Sequence, residues 1–149
     1  MRLIIQRVKS SQLEIDNHIY SAIDQGLVVL IGVTHTDTKE DADWLIGKMI
    51  NMRIFSDEHG LMNLSVIDKQ AQILLVSQFT LFASTKKGNR PGFTEAAKPE
   101  QAIPLYEYFV AQTKIQYTKV ETGKFGADMQ IHLINDGPVT IFIDSKQKE

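Results

Sequence analysis

Apolar runs in this chain are mostly short and bounded by polar or turn-forming residues, the spacing of strands more than of long helices. Leu3 to Val8 is apolar except for Gln6 and Arg7. Ser11 to Asp16 alternates, with Leu13 and Ile15 on one face. His18 to Ile23 can pair back across Asp16-Asn17, a tight-turn pair. Gly26 to Val33 is continuously apolar, which predicts a strand buried on both faces. A helix follows. Ala42, Leu45, Ile46, Met49 and Ile50 make one stripe, with Lys39, Glu40, Asp43 and Lys48 off it and Trp44 at its edge. Thr38, three residues before Asp41, has the spacing of a capping box.

Further along, Met52 to Phe55 reads as a short strand and Asp57-Glu58-His59-Gly60 as a turn. Gln72 to Phe82 reads as a second strongly buried strand, and 83–98 as a polar loop. A second helix is expected over 99–114. Pro99 suits its first position, and Ala102, Leu105, Phe109 and Val110 would face inward. Pro104 requires that this helix start late or bend. Three more strands are expected near 115–122, 129–134 and 139–144. About nine strands and two helices predict a mixed α/β or α+β domain built on a large sheet or barrel.

Composition narrows the class. A chain of 149 residues is expected to form one domain over 1–149 and to bury roughly 70% of its unfolded surface. It contains no cysteine, which removes disulfides, thiolate ligands and cysteine nucleophiles. The opening MRLIIQRVKSSQLEID has too short an apolar run for a signal peptide, and no run approaches the ~18 apolar residues of a membrane span. A cytoplasmic protein without a membrane partner is expected. The net charge of −2 argues against gripping long duplexes, DNA included. It leaves open the recognition of a nucleic-acid end through a local basic patch.

Three stretches carry candidate chemistry. Ser77-Gln78-Phe79-Thr80-Leu81 interrupts an apolar run with polar side chains. As a strand it would put Gln78 and Thr80 on one face and Ser77, Phe79 and Leu81 on the other. Such a polar pair beside a buried run needs partners or a cavity; a wet sheet face is the simpler account of it. Gly137-Pro138 sits between two strand-like runs, where proline removes a backbone donor. Pattern alone favours an ordinary trans turn, since only about 5–6% of X-Pro bonds are cis. Lys86, Lys87 and Arg90 share a loop with Gly88 and Gly92 that could meet phosphates or simply be solvated. His18, His35, His59 and His132 lack ligand spacing, so no metal site is expected, and no Walker or dinucleotide motif is present.

SQFTL at 77–81 together with NDGPVT at 135–140 resembles the two signature motifs of the bacterial-type D-aminoacyl-tRNA deacylases. MRLIIQRV, NRPGFTEAAKP and VETGKFGADM resemble the same family, in the same order, across nearly the whole chain. The resemblance implies a homodimer with a β-barrel-like fold and no cofactor. It implies a cis Gly137-Pro138 bond that reaches from one subunit into the other's active site, with Arg7 helping to hold it. It places Phe125, Gly126 and Met129 near a pocket for the terminal adenosine.

The implied partner is the 3′ end of a tRNA carrying an amino acid. The implied reaction is hydrolysis of its ester, with Ser77, Gln78, Phe79 and Thr80 as the catalytic segment. Thr80 is then either a nucleophile lacking an evident base or a residue that orients the substrate; the resemblance fits orientation better. A non-catalytic tRNA-end-binding scaffold is the main alternative. A small-molecule esterase using Ser77 or Thr80 has less support, because there is no G-x-S-x-G elbow.

Overall fold

The computed structural model describes residues 1–148. Strand β1 (Arg2–Ile15) occupies the middle of the sheet and carries fully buried Leu3, Ile5, Val8 and Leu13. The two strands expected in this region are halves of one. Lys9 and Ser10 stay in the ladder as a bulge, where the register against the last strand shifts between Val8 and Ser11. Asp16 and Asn17, with φ of 52° and 61°, then reverse the chain into β2 (His18–Ile23). Positive φ at both turn residues is the signature of a hairpin turn matched to strand twist, and β2 pairs with the second half of β1. β3 (Gly26–Gly32) returns antiparallel along the first half of β1 and is buried almost throughout, as its unbroken apolar run requires.

Helix α1 (Lys39–Asn51) buries the whole predicted stripe of Ala42, Leu45, Ile46, Met49 and Ile50. The backbone N–H of Thr38 donates to the Asp41 carboxylate at 2.9 Å, closing the expected cap. A small separate hairpin follows, β4 (Phe55–Ser56) and β5 (Met62–Leu64). Its turn forms because Asp57 accepts from the N–H groups of His59 (2.9 Å) and Leu61 (3.0 Å). The strand expected at Met52 to Phe55 is displaced toward the C-terminus, since the Met52 N–H still donates to Lys48 at the end of α1.

β6 (Gln72–Ser77) lies parallel to β3. Helix α2 (Pro99–Gln116) starts at Pro99 and runs through Pro104, so it does not begin late. Pro104 is exposed, and the carbonyl it leaves without a donor, four residues back, belongs to exposed Glu100. β7 (Val120–Thr122), parallel to β6, is shorter than the strand expected from residue 115 because α2 claims the first residues.

β8 (Gln130–Asp144) closes the chain as one 15-residue strand antiparallel to β1. The two strands expected at 129–134 and 139–144 are therefore continuous. The turn-forming residues between them bulge out without reversing the chain.

The order β2-β1-β3-β6-β7, with β8 on the other edge of β1, gives one mixed sheet. β2 curls over until it lies against β6 and β7, so the sheet is nearly a closed barrel. Two cores result. Val8, Leu13, Ile23, Val28, Leu74 and Val76 fill the curl. Leu3, Ile5, Val29, Ile31, Ile73 and Leu75 form the opposite face and pack with α1 and α2. The β3–β6 pairing leaves no space at Gly26, where a Cβ would fall 1.9 Å from the Gln72 carbonyl oxygen. A single-domain, barrel-like mixed sheet with two helices is thus the architecture.

Two outcomes follow from this packing. A Cβ at Gly47, inside α1, would meet no atom within 4 Å, so Gly47→Ala should stabilise by about 0.8–1 kcal/mol. Thermal unfolding should show a rise of about 2–4 °C, whereas Gly26→Ala should lower the midpoint sharply or abolish folding. The second concerns pH. Burial pushes the Asp41 carboxyl up, but hydrogen bonds from Lys146, Ser145 and the Thr38 N–H outweigh it and hold the group at about 2. A folded value below the ordinary carboxylate range means stability that is complete above about pH 4 and lost as the pH falls toward 2. Asp41→Asn should therefore unfold earlier than the parent at pH 7, with the gap narrowing between pH 4 and 2.

Candidate active site

The Gln78 N–H donates to the Ile31 carbonyl at 2.7 Å, the last hydrogen bond that continues the β3–β6 ladder. β3 ends one residue later, at Gly32, so Phe79 has no strand to pair with. The chain turns instead into a single 3-10 turn, Phe79–Phe82. The strand expected to continue to Phe82 thus stops at Ser77, and the alternating faces expected for 77–81 do not exist. Gln78 and Thr80 still meet, because the turn lets Gln78 Nε2 donate to Thr80 Oγ1. Among the described residues no acceptor takes the N–H groups of Phe79 and Thr80, the orphan donors of a helical first turn.

Arg2 fixes the far end of this turn. Its Nη1 donates to the Leu81 carbonyl at 2.9 Å, its Nε pairs with Asp144 Oδ2 at 2.9 Å, and its guanidinium lies 4.4 Å from the centre of the Phe82 ring. Gly32 admits the turn from the other side, since a Cβ there would sit 2.9 Å from Leu81 Cβ.

Beside the turn lies a cavity of about 340 Å³, lined by Ile31, Val33, Ser77, Gln78, Phe79, Phe93, Ala96, Ala97, Pro99, Ala102, Tyr106 and Phe125. Its shape has a simple origin. The start of α2 and the segment before it contribute only Ala and Pro, so the floor is shallow side chains between aromatic walls. Phe79 and Phe93 meet edge to face at 5.0 Å and are both exposed at the mouth. Tyr106 and Phe125 stand 5.7 Å apart deeper in.

The Tyr106 hydroxyl donates to the Leu75 carbonyl at 3.1 Å, and burial pushes it up to about 12, so it stays neutral. No Asp, Glu, His, Lys or Arg lines the cavity. Nor do three His, Asp or Glu side chains cluster as a metal ion requires anywhere among the described residues. What the site offers chemically is main-chain N–H groups, the Gln78 amide, the hydroxyls of Ser77, Thr80 and Tyr106, and aromatic faces.

The other motif lies elsewhere in the chain. Gln6 pairs with Thr140 and Val8 with Asn135, so residues 136–139 bulge out opposite Arg7 alone. The Gly137-Pro138 bond is cis, and both residues are exposed. Arg7 fills the bulge from beneath: Nε donates to the Asp136 carbonyl at 3.1 Å and Nη1 to the Ile54 carbonyl at 2.5 Å. Asn135 ties the bulge shut from the side, its Oδ1 accepting from the Val139 N–H at 3.0 Å and its Nδ2 donating to Thr140 Oγ1 at 3.0 Å.

The candidate residues therefore fall into separate places. Ser77, Gln78, Phe79 and Phe125 line the cavity, and Thr80 adjoins it through Gln78. Gly126 is exposed on the surface with φ of 77°. Met129 is half-buried and packs on the core inside the curl, away from the cavity lining. Gly137, Pro138 and Arg7 are not among the cavity residues of their own chain. Sequence reasoning missed Arg2, Phe93 and Tyr106. Phe93 lay inside a stretch already singled out, whereas Arg2 and Tyr106 gave no local signal.

Comparison with known proteins gives the family. The family described as D-Tyr-tRNA(Tyr) deacylase matches residues 4–144. The chain belongs to that family. The D-aminoacyl-tRNA deacylase of Cytophaga hutchinsonii is 58% identical over 150 aligned positions, covering all of both chains. That of Bacteroides fragilis is 55% identical with the same coverage. A solved structure described as c-Myc DNA Unwinding Element Binding Protein superposes with a TM-score of 0.92 at 41% identity, covering 97% of this chain and 98% of that one. A probable eukaryotic D-amino acid tRNA deacylase shares the fold at 18% identity, with a TM-score of 0.82 over 95% of this chain and 97% of that one.

If Arg2 sets the angle of the 3-10 turn in this deacylase-family site, Arg2→Met should lose a charge-assisted hydrogen bond worth about 1.5–3 kcal/mol. Thermal unfolding should shift down accordingly, and steady-state kinetics should show kcat falling more than KM rises.

Proposed function

We propose that this protein hydrolyses the ester that joins a D-amino acid to the 3′ end of tRNA, releasing the free amino acid and the tRNA. The observation that carries the mechanism is the turn at Phe79–Phe82, whose free N–H groups stand beside an aromatic cavity with no titratable base. An aminoacyl ester is already labile, so the barrier needs only modest lowering. Positioning and stabilisation of the developing oxyanion suffice. The N–H groups of Phe79 and Thr80 face the oxyanion, and Gln78 fixes the ester or the attacking water. The terminal adenosine occupies the cavity, stacked between aromatic walls that include Phe125. Thr80 Oγ1 accepts from Gln78 and has no base to remove its proton, which supports a role in orienting substrate. The ribose 2′-hydroxyl then assists water.

Chirality is selected by exclusion. Fixing the amino group and the ester leaves the side chain of an L-amino acid only one direction. The main-chain oxygens around Gly137-Pro138 fill that direction, contributed by a second copy of the chain. Two features support the second copy. The bulge is exposed and lies outside its own chain's cavity. Among the described residues β8 pairs with no strand but β1, so most of its outer edge is left unpaired. A D side chain points to open space, so many D-amino acids are accepted. Glycine has nothing to exclude and is accepted as well.

Deacylation of D-tyrosyl-, L-tyrosyl- and glycyl-tRNA by the purified protein tests the reading, with the first and third expected to be cleaved and the second spared. Cleavage of D-tyrosyl-tRNA alone would count against exclusion as the filter. Thr80→Val should keep appreciable activity; a trapped acyl group on Thr80 would overturn its orienting role. Gly137 has φ of 129°, and a Cβ there would meet Val139 Cγ2 at 2.9 Å and Arg7 Nη2 at 3.0 Å. Gly137→Ala should accordingly impair rejection of L-esters or activity itself, read as the ratio of D to L turnover.

A further inference from the structure

The loop between the 3-10 turn and the cavity wall is a built hairpin. Ser84 and Gly92 exchange both backbone hydrogen bonds, N–H of each to carbonyl of the other, at 2.8 and 2.9 Å. Gly88 adopts φ of 141° at the tip, and its N–H donates to Thr85 at 3.2 Å. The hairpin carries Lys86, Lys87 and Arg90, all exposed. Among the described residues none of the three is in an ion pair, while Arg2, Arg7 and Lys146 each are. The chain as a whole is mildly acidic at −2, so these cations are a local concentration set against the average field.

Position gives the loop its meaning. One residue past the closing pair is Phe93, which packs on Phe79 and walls the cavity. On its other flank Lys86 lines an open groove with Arg2, Phe82, Ser84 and Lys146. The hairpin therefore stands at the boundary between the cavity and a polar surface groove. From Phe93 back to Arg90 an extended chain reaches at most ~10 Å. That short reach keeps the cations beside the nucleotides next to one held in the cavity.

We propose that the 84–92 hairpin docks the sugar-phosphate backbone of the RNA, with Lys86, Lys87 and Arg90 meeting phosphates upstream of the nucleotide held in the cavity. The proposal rests on the reading that the cavity takes the aminoacylated end of an RNA. The interactions are electrostatic and independent of base sequence, so they add affinity for any acceptor stem and leave the ester chemistry alone. A local group of cations also lets a chain of negative net charge engage a polyanion.

The test uses two esters and one variant. The full-length protein and its Lys86→Gln/Lys87→Gln/Arg90→Gln form are assayed on D-tyrosyl-tRNA and on D-tyrosyl-adenosine, the terminal nucleoside ester without phosphates. On tRNA the variant should lose about tenfold in kcat/KM through KM, and its dependence on salt should flatten by roughly 0.7–0.9 in log-log slope for each phosphate that is no longer neutralised. On the nucleoside ester the two proteins should be equal. Equal activity on both esters would overturn the proposal, and so would an equal fall on both, which would make the loop a support of the cavity wall. Parent protein inactive on both esters would remove the proposal together with the reading beneath it; activity on both with an unchanged salt slope would remove the proposal alone.

Discussion

The whole structure hangs on β1 being hydrogen-bonded along both edges. β3 and β2 divide one edge between them, and β8 takes the other from end to end. Among the described residues no other strand has three partners, so the registers of the sheet are all referred to this one. The two candidate regions are referred to it as well. Arg2 reaches from it to the carbonyl end of the 3-10 turn, and Arg7 reaches from it into the Gly137-Pro138 bulge. They are five positions apart and so lie on opposite faces of the strand. A slip of one residue would exchange those faces and dismantle both regions at once.

Much of this was legible because it depends on local period. The stripe of α1, the Asp16-Asn17 hairpin and the doubly buried β3 follow from spacing that any neighbouring structure would have to respect. The Asp57 turn is the same kind of signal. What was not legible depends on where a partner stops. Phe79, Leu81 and Phe82 carry the apolar pattern of the Gln72 run past Ser77, yet the ladder ends because β3 runs out at Gly32. Residues 135–138 look like a reversal, yet β1 continues past them and β8 follows it, absorbing the surplus as a bulge. Pro104 reads as a helix breaker until both it and Glu100, whose carbonyl it abandons, prove to be exposed residues.

The site shows the same division. Gln78 and Thr80 were visible as polar interruptions of an apolar run, although the reason they meet is a turn and not a shared strand face. The cavity they border was not visible, because its walls come from four separate segments and its floor from alanines that carry no signal of their own. Arg2 sits in an N-terminal strand whose pattern says only that it is half-exposed. Its role becomes apparent only once Leu81, Phe82 and Asp144 surround it.

A cavity edged by peptide N–H groups, with no carboxylate, imidazole or cation in its wall, has a consequence for how such a protein can vary. Every amino acid except proline brings the same amide, so under the proposed mechanism drift at Phe79 or Thr80 alters fit and orientation without deleting the donor. What selection must then preserve is a bend in the chain, guarded by whatever lets two segments approach at Gly32. Inheritance of the chemistry resides in curvature more than in any one functional group.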